Sequence, residues 1–182
     1  GGTQLTPAAA LSLRDRRLHL RSQAVLNHGQ GRYREALAKA LEAYECAEAT
    51  LKSVGTSAWE VNSPELEAAV LVELMIIVRS AYITEDFATG LGFLEIFCAA
   101  VDRLAGVKSS VPLFTPCAAA TLLYTASEMS LLYGHEERAE RYAKLYLAMA
   151  RLAHGEGSPA VGDAYSFVAG TLTKLRRYDE AL

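Results

Sequence analysis

Four of the five prolines in this chain directly follow a Ser or Thr, as Thr6-Pro7, Ser63-Pro64, Thr115-Pro116 and Ser158-Pro159. A hydroxyl at the N-cap accepts from a backbone N–H that has no helical partner, and proline at the first helical position sacrifices no hydrogen bond. The pairs therefore mark four helix starts, spaced 57, 52 and 43 residues apart. A second signal follows each of them: a short break, then an aromatic or charged residue and a small one. It reads Gly31-Arg32-Tyr33-Arg34-Glu35-Ala36, Glu85-Asp86-Phe87-Ala88-Thr89-Gly90, Gly134-His135-Glu136-Glu137-Arg138-Ala139 and Arg176-Arg177-Tyr178-Asp179-Glu180-Ala181. A two-part pattern recurring four times is an internal repeat, and repeats at this spacing are stacked helix pairs.

Apolar periodicity fills in the pairs. A helical stripe runs from Leu11 to Leu26 and resumes from Tyr33 to about Leu51 after a break at Gly29 and Gly31. Pro64 to Ile83 is nearly continuously apolar from Ala68 to Val78, so this helix should be buried on most sides. Phe87–Leu104 is its partner, Pro116–Tyr133 and Glu136–Ala153 form a third pair, and Pro159–Leu175 opens a fourth. The segments around 53–62 and 106–115 carry no periodicity and read as loops. No stretch reads as a strand. The expected fold is all-α: about seven antiparallel helices in a right-handed helical-repeat stack, one domain over 1–182. Its repeats fall near 7–52, 64–105, 116–153 and 159–182, the last cut short. A helix begun at Tyr178 and ended at Leu182 makes the chain read as a fragment of a longer protein.

Small residues have a packing task in such pairs. Ala24, Ala36, Ala40 and Ala43 let the first two helices approach, Gly90 serves the second pair, Ala139 and Ala143 the third, and Ala169 with Ala181 the fourth. Leu20, Tyr33, Leu74, Phe87, Leu123, Tyr165 and Leu172 are expected to fill the space between successive pairs. This pattern resembles the tetratricopeptide repeat, a helix-turn-helix unit with a bulky–small–bulky run in its first helix and a small residue early in its second. Tyr165, Val168, Ala169, Leu172, Tyr178 and Ala181 match best, and Leu20, Ala24, Gly31, Tyr33 and Ala36 come next. In the middle repeats Val78 and Ser127 replace the usual small residue, and Glu136 replaces the turn aromatic. The spacing exceeds the usual period of about 34 residues, so the helices or loops are longer. The lead-in Gly155-Glu156-Gly157-Ser158-Pro159 is similar to that of the long-helix repeats of kinesin light chains. The layout is also similar to the repeat region of a ciliary MYND-finger protein.

Composition excludes several roles. Hydrophobic residues make up 51% of the chain, enough for a real core, and the net charge of −3 gives no pull towards nucleic acid or an acidic membrane. No apolar run is long enough to span a bilayer. Cys46, Cys98 and Cys117 form no CxxC pair or disulfide framework and read as small hydrophobes in a reducing, cytoplasmic setting. Gly106-Val107-Lys108-Ser109 mimics the end of a P-loop without its first glycine, and Gly90-Leu91-Gly92 and Gly155-Glu156-Gly157 lack a third glycine and a strand. His19, His28, His135 and His154 form no metal cluster, and His135 reads as a solvated loop residue. No cofactor, metal or catalytic constellation is expected, so the chain is expected not to be an enzyme.

What remains is binding. Arg14, Arg17 and Arg21, spaced three and four apart with Arg16 beside them, form a basic stripe that reads either as a solvated face or as a contact for an acidic partner. Trp59 sits in the first loop, as a cap or an anchor. The resemblance implies a concave groove lined by the first helix of each pair. Its positions here are Arg21, Val25 and His28, then Met75, Arg79 and Tyr82. Tyr124, Glu128 and Leu131 follow in the third repeat, and Ser166, Gly170 and Lys174 in the fourth. The terminal-carboxylate clamp of chaperone-tail binders is absent, since its places hold Arg21, Val25, Ile76, Thr121 and Thr125. A mixed groove suits a peptide or helical segment of another protein, acidic with an apolar anchor. The expected role is a non-catalytic scaffold, with a ciliary or microtubule-motor setting implied by the layout. The alternative is a regulatory or oligomerisation module of a larger enzyme or signalling protein. Self-association is expected through Tyr165, Phe167, Val168, Leu172 and Leu175 at the C-terminal end.

Overall fold

The computed structural model describes residues 7–53, 64–104 and 115–175, and the protein is all-α over all of them. Seven helices follow in order: α1 (Pro7–Gly29), α2 (Tyr33–Ser53), α3 (Pro64–Ile83), α4 (Phe87–Leu104), α5 (Pro116–Leu132), α6 (Glu136–His154) and α7 (Pro159–Lys174). Each of the four Ser/Thr-Pro prolines is the first residue of a helix. Two of the caps are described: the Thr115 side chain accepts from the Ala118 N–H and the Ser158 side chain from the Val161 N–H. Thr6 and Ser63 lie outside the described residues, as do Trp59, the segment 106–109 and the repeat signal from Arg176 onward.

The second signal of each repeat is a single hydrogen-bonded turn used three times. At the end of α1 the Arg32 N–H bonds to the Asn27 carbonyl at 2.9 Å and the Gly31 N–H to the His28 carbonyl at 3.1 Å. The same six-to-one and five-to-two bonds close α3, from Asp86 to Ala81 and Glu85 to Tyr82, and α5, from His135 to Ser130 and Gly134 to Leu131. This is the Schellman ending, in which the fifth residue must enter the left-handed region. Gly31 and Gly134 do so at φ 74°, and Glu85 does so at φ 64° with a side chain that disfavours it.

The chain divides into two compact units, Gly1–Phe93 and Leu94–Leu182. In the first, α1 packs on α2, and α3 packs on both. Ala24, Ala36, Ala40 and Ala43 are fully buried, so the close approach expected of the first pair is present. Leu20 joins Ala43 and Cys46 in one core cluster with Leu13 against it, and Tyr44 meets Phe93 edge to face at 5.1 Å. Along α3, Val70, Leu71, Leu74, Ile76, Ile77, Val78 and Ala81 are all buried, so this helix is covered on most sides.

In the second unit α6 packs on both α5 and α7. Ser127, in place of the usual glycine or alanine, is fully buried and donates to the Ala139 carbonyl at 2.7 Å, so its hydroxyl ties α5 to α6. The buried Tyr142 hydroxyl donates to Asp102 Oδ1 at 2.8 Å, and Arg138 holds Glu95 by two bonds of 2.8 and 3.1 Å. Burial, with Cys98 and Asp102 close by, pushes the Tyr142 phenol well above the usual range. Ala150, Val161 and Ala164 form the core between α6 and α7, with Tyr146 and Leu147 packed on it. In each unit, helices pack on their neighbours in the chain, as in a helical-repeat stack.

Three expectations about packing are corrected. Phe87 and Tyr165 are exposed rather than filling space between pairs. Phe87 starts α4 and meets Tyr82 edge-on at 5.9 Å, and Tyr165 lies under the Arg151 guanidinium, 5.1 Å from it. Cys117, on the first turn of α5, is exposed where Cys46 and Cys98 are buried. Of the hydrophobics expected to make the C-terminal end adhesive, Leu172 is buried, Phe167, Val168 and Leu175 are half-buried, and Tyr165 alone is exposed. The Gly155-Glu156-Gly157 segment is the turn into α7, with Gly155 at φ 78°.

The repeated turn generates a test. Glu85→Gly should stabilise the protein by about 1 kcal/mol by relieving a left-handed side-chain-bearing residue. Gly134→Ala should cost about as much, and no atom lies within 4 Å of an added Cβ, so that cost is purely conformational. Thermal melts should move in opposite directions by about 2–4 °C each. A loss of stability in Glu85→Gly would show that the Glu85 side chain makes a compensating contact.

Candidate functional site

Helical geometry places residues at i, i+3, i+4 and i+7 on one face. On α3 these are Val72, Met75, Ile76 and Arg79, and on α1 Val25 and His28 share a face in the same way. The two faces meet, and the six side chains line a cavity of about 230 Å³ in the first unit. Four of the positions expected to line a groove, Val25, His28, Met75 and Arg79, are thus brought together. Ile76 is buried, Val72 and Met75 are half-buried, and Val25 is 50% exposed at the rim.

The cavity is apolar except for His28 and Arg79. The His28 ring meets Tyr33, the first residue of α2, edge-on at 5.3 Å. Its Nε2 is shielded from solvent and finds no hydrogen-bond partner among the described residues. Burial, and then the Arg79 charge, lower the His28 pKa below its ordinary 6.5. Both act in the same direction, burial by desolvating the imidazolium and Arg79 by like-charge repulsion. Arg21 is half-buried, one turn before Val25, and is not part of the cavity wall; Tyr82 is half-buried against Phe87.

The corresponding positions of the second unit behave differently. Tyr124 is half-buried, donates to Glu128 Oε1 at 3.1 Å, and packs against Phe167 with the rings tilted by 41° and their centroids 4.4 Å apart. Tyr146 closes the cluster edge-on, 5.6 Å from Tyr124 and 5.5 Å from Phe167. The chain's own aromatics therefore occupy Tyr124, which was expected to face a groove. Leu131 is half-buried, while Ser166, Gly170 and Lys174 are exposed at four-residue intervals on α7, with Ser166 bonded to its own helix.

The basic stripe is not one surface. Arg14 and Arg16 are exposed, but Arg17 is 9% exposed and its Nε donates to Glu73 Oε1 on α3 at 2.9 Å. Arg17 falls on the buried line of α1 with Leu13, Leu20 and Ala24, so it ties α1 to α3 and is not available to a partner. Glu73 is fully buried, and its Oε2 has no hydrogen-bond partner among the described residues. His135 is also corrected: it is half-buried at the start of α6, with its Nε2 shielded from solvent. Among the described residues no group of three His, Cys, Asp or Glu could hold a metal ion, and no helix is long and apolar enough to cross a membrane.

Two outcomes follow. Arg17→Ala should cost about 3–5 kcal/mol, because it strands a buried carboxylate. The double variant Arg17→Met with Glu73→Leu should recover most of that in urea denaturation, and failure to recover would mean the pair does not act as a unit. For His28 the unfolded chain takes up a proton near pH 6.5 that the folded chain refuses. Stability therefore falls as pH drops through that value. Urea midpoints at about pH 7.5 and about pH 5.5 should differ more in the parent than in His28→Gln; equal differences would remove His28 from the linkage.

No family model, no curated protein and no solved structure matches this chain. The functional reading therefore rests on the chemistry of the site itself.

Proposed function

We propose that this chain is a non-catalytic scaffold that binds a segment of another protein, acidic and carrying an apolar anchor, at the cavity between α1 and α3. The observation that carries this reading is the convergence of Val25, His28, Met75 and Arg79 on one concave site. Its volume of about 230 Å³ lies below the range of about 300–1,000 Å³ typical of small-molecule sites. It is comparable to apolar cavities of roughly 150 Å³ that take a benzene-sized group. That is room for one side chain of a longer ligand.

The tetratricopeptide-like repeat supports the same reading, because paired helices offer a rigid surface on which neighbouring helices each supply a few contacts. A ciliary or microtubule-motor setting is supported by the resemblance in repeat layout alone.

A partner recovered by crosslinking and titrated at two salt concentrations tests the site. Arg79→Glu should weaken binding by about tenfold or more, about 1.4 kcal/mol. Arg14→Glu, on an exposed part of α1, should weaken it far less, since rim charges contribute little to affinity. Equal losses, or a loss at Arg14 alone, would move the site to the N-terminal basic residues.

A further inference from the structure

Leu18, Arg21, Val25 and His28 follow one line along α1, at steps of three, four and three. Such steps are those of a helix edge that receives another helix. A single exposed apolar side chain is ordinary on a protein surface. Here two of them, Leu18 at 41% and Val25 at 50% exposed, stand on the same line two helical turns apart, roughly 10 Å. The line ends at the α1–α3 cavity, whose wall includes Val25 and His28 but no acidic residue. Arg21 lies between the two apolar side chains, half-buried, and makes no ion pair or hydrogen bond among the described residues. Its neighbours on the helix are satisfied. Ser22 donates to the Leu18 carbonyl at 2.9 Å, Gln23 and His19 are joined at 2.9 Å, and Arg17 is held by Glu73.

We infer that this line of α1 is the docking seam for an acidic amphipathic helix of a partner protein. The partner helix lies along Leu18 to His28 and carries apolar side chains two turns apart, one against Leu18 and the other over Val25 and into the cavity. A Glu or Asp between them meets Arg21. This rests on the scaffold reading above and adds to it the form of the partner and the cation that receives its acid. A helix fits because an amphipathic helix presents its side chains at the same steps of three and four, so all three contacts form without bending either chain. An acid fits because a half-buried guanidinium lacks a countercharge, and complementary charge sets both partner choice and register. Two apolar contacts alone would let the partner slide by a turn. A carboxylate on the planar guanidinium adds a directional bond that holds one alignment.

The test uses the full chain and two blocked peptides, acetyl-Lys-Ala-Ala-Leu-Ala-Ala-Glu-Glu-Ala-Ala-Leu-Ala-Ala-Lys-amide and its counterpart with both Glu replaced by Gln. The acids sit midway between the leucines, so either direction of the peptide brings one over Arg21. Peptides of this length are marginal helices alone, so helix gained on binding is visible by circular dichroism. In NMR titrations the Glu peptide should gain helix and bind about fivefold more tightly than the Gln peptide at low salt. That advantage should shrink as salt is raised. Arg21→Gln should bring the two peptides to equal affinity without changing that of the Gln peptide. Leu18→Ser should weaken both, and Arg14→Gln, one turn beyond the seam, should change neither. Equal affinity of the two peptides for the parent, or a loss in Arg21→Gln shared by both, overturns the ion pair, and the parent comparison decides even if a variant folds poorly. Binding without gain of helix overturns the helical form of the partner. Binding of neither peptide at millimolar concentration overturns the seam as a whole, while the titration of the crosslinked partner at Arg79 decides the scaffold reading separately.

Discussion

The last carbonyls of an α-helix have no partner inside the helix, and how they are satisfied decides where the chain goes next. In this protein the answer is the same at the ends of α1, α3 and α5: two backbone bonds closed around one left-handed residue. The turn occupies three residues, so the following helix starts at once, at Tyr33, Phe87 and Glu136. Everything that the helices bury is placed by that return. Ala36 and Ala139 come fourth in their helices, where the returning helix is nearest its predecessor, and both are fully buried. A side chain larger than a methyl group there would have to displace the facing helix.

With the turns set, polar links fix how helices meet. In the first unit the link is Arg17 with Glu73. In the second it is the Ser127 hydroxyl on the Ala139 carbonyl, together with Tyr142 on Asp102. Apolar faces tolerate sliding, whereas a buried carboxylate or hydroxyl is satisfied in one alignment only. A slip of one helical turn between α1 and α3 would both strand Glu73 and dismantle the cavity, since Arg17 and Glu73 lie on the same two helices as Val25, His28, Met75 and Arg79. The ion pair thus positions the candidate site without touching it.

Local chemistry was legible in the sequence and long-range chemistry was not. Helix starts at Pro7, Pro64, Pro116 and Pro159, and the breaks at Gly31, Glu85 and Gly134, depend on residues within a few positions of one another. Arg17 was misplaced because spacing to Arg14 and Arg21 suggests a charged face, while spacing to Leu13, Leu20 and Ala24 puts it on the buried one. A signal was present in Glu73, the single charge between Ala68 and Val78. A carboxylate within such a run needs a buried cation, and the mid-helix arginine of α1 is where it finds one. Tyr124 was misread for a different reason: its partner Phe167 lies 43 positions further along, and nothing local to Tyr124 announces a ring there.

The two units put equivalent first-helix positions to opposite uses, and the difference lies in side-chain size. In the second unit Tyr124, Tyr146 and Phe167 are large and planar enough to fill the space between three helices, with Tyr146 edge-on to both other rings and Tyr124 tilted against Phe167. In the first, Val25, Val72 and Met75 are aliphatic and too short to close the gap between α1 and α3, so the cavity persists. Of the two polar residues beside it, one is a cation and the other an imidazole whose pKa is lowered by burial and then by that cation. An apolar ligand alone would leave His28 Nε2, which has no hydrogen-bond partner among the described residues, unsatisfied. A ligand with a polar group next to an apolar one suits these walls, which is why recognition is expected at the α1–α3 cavity.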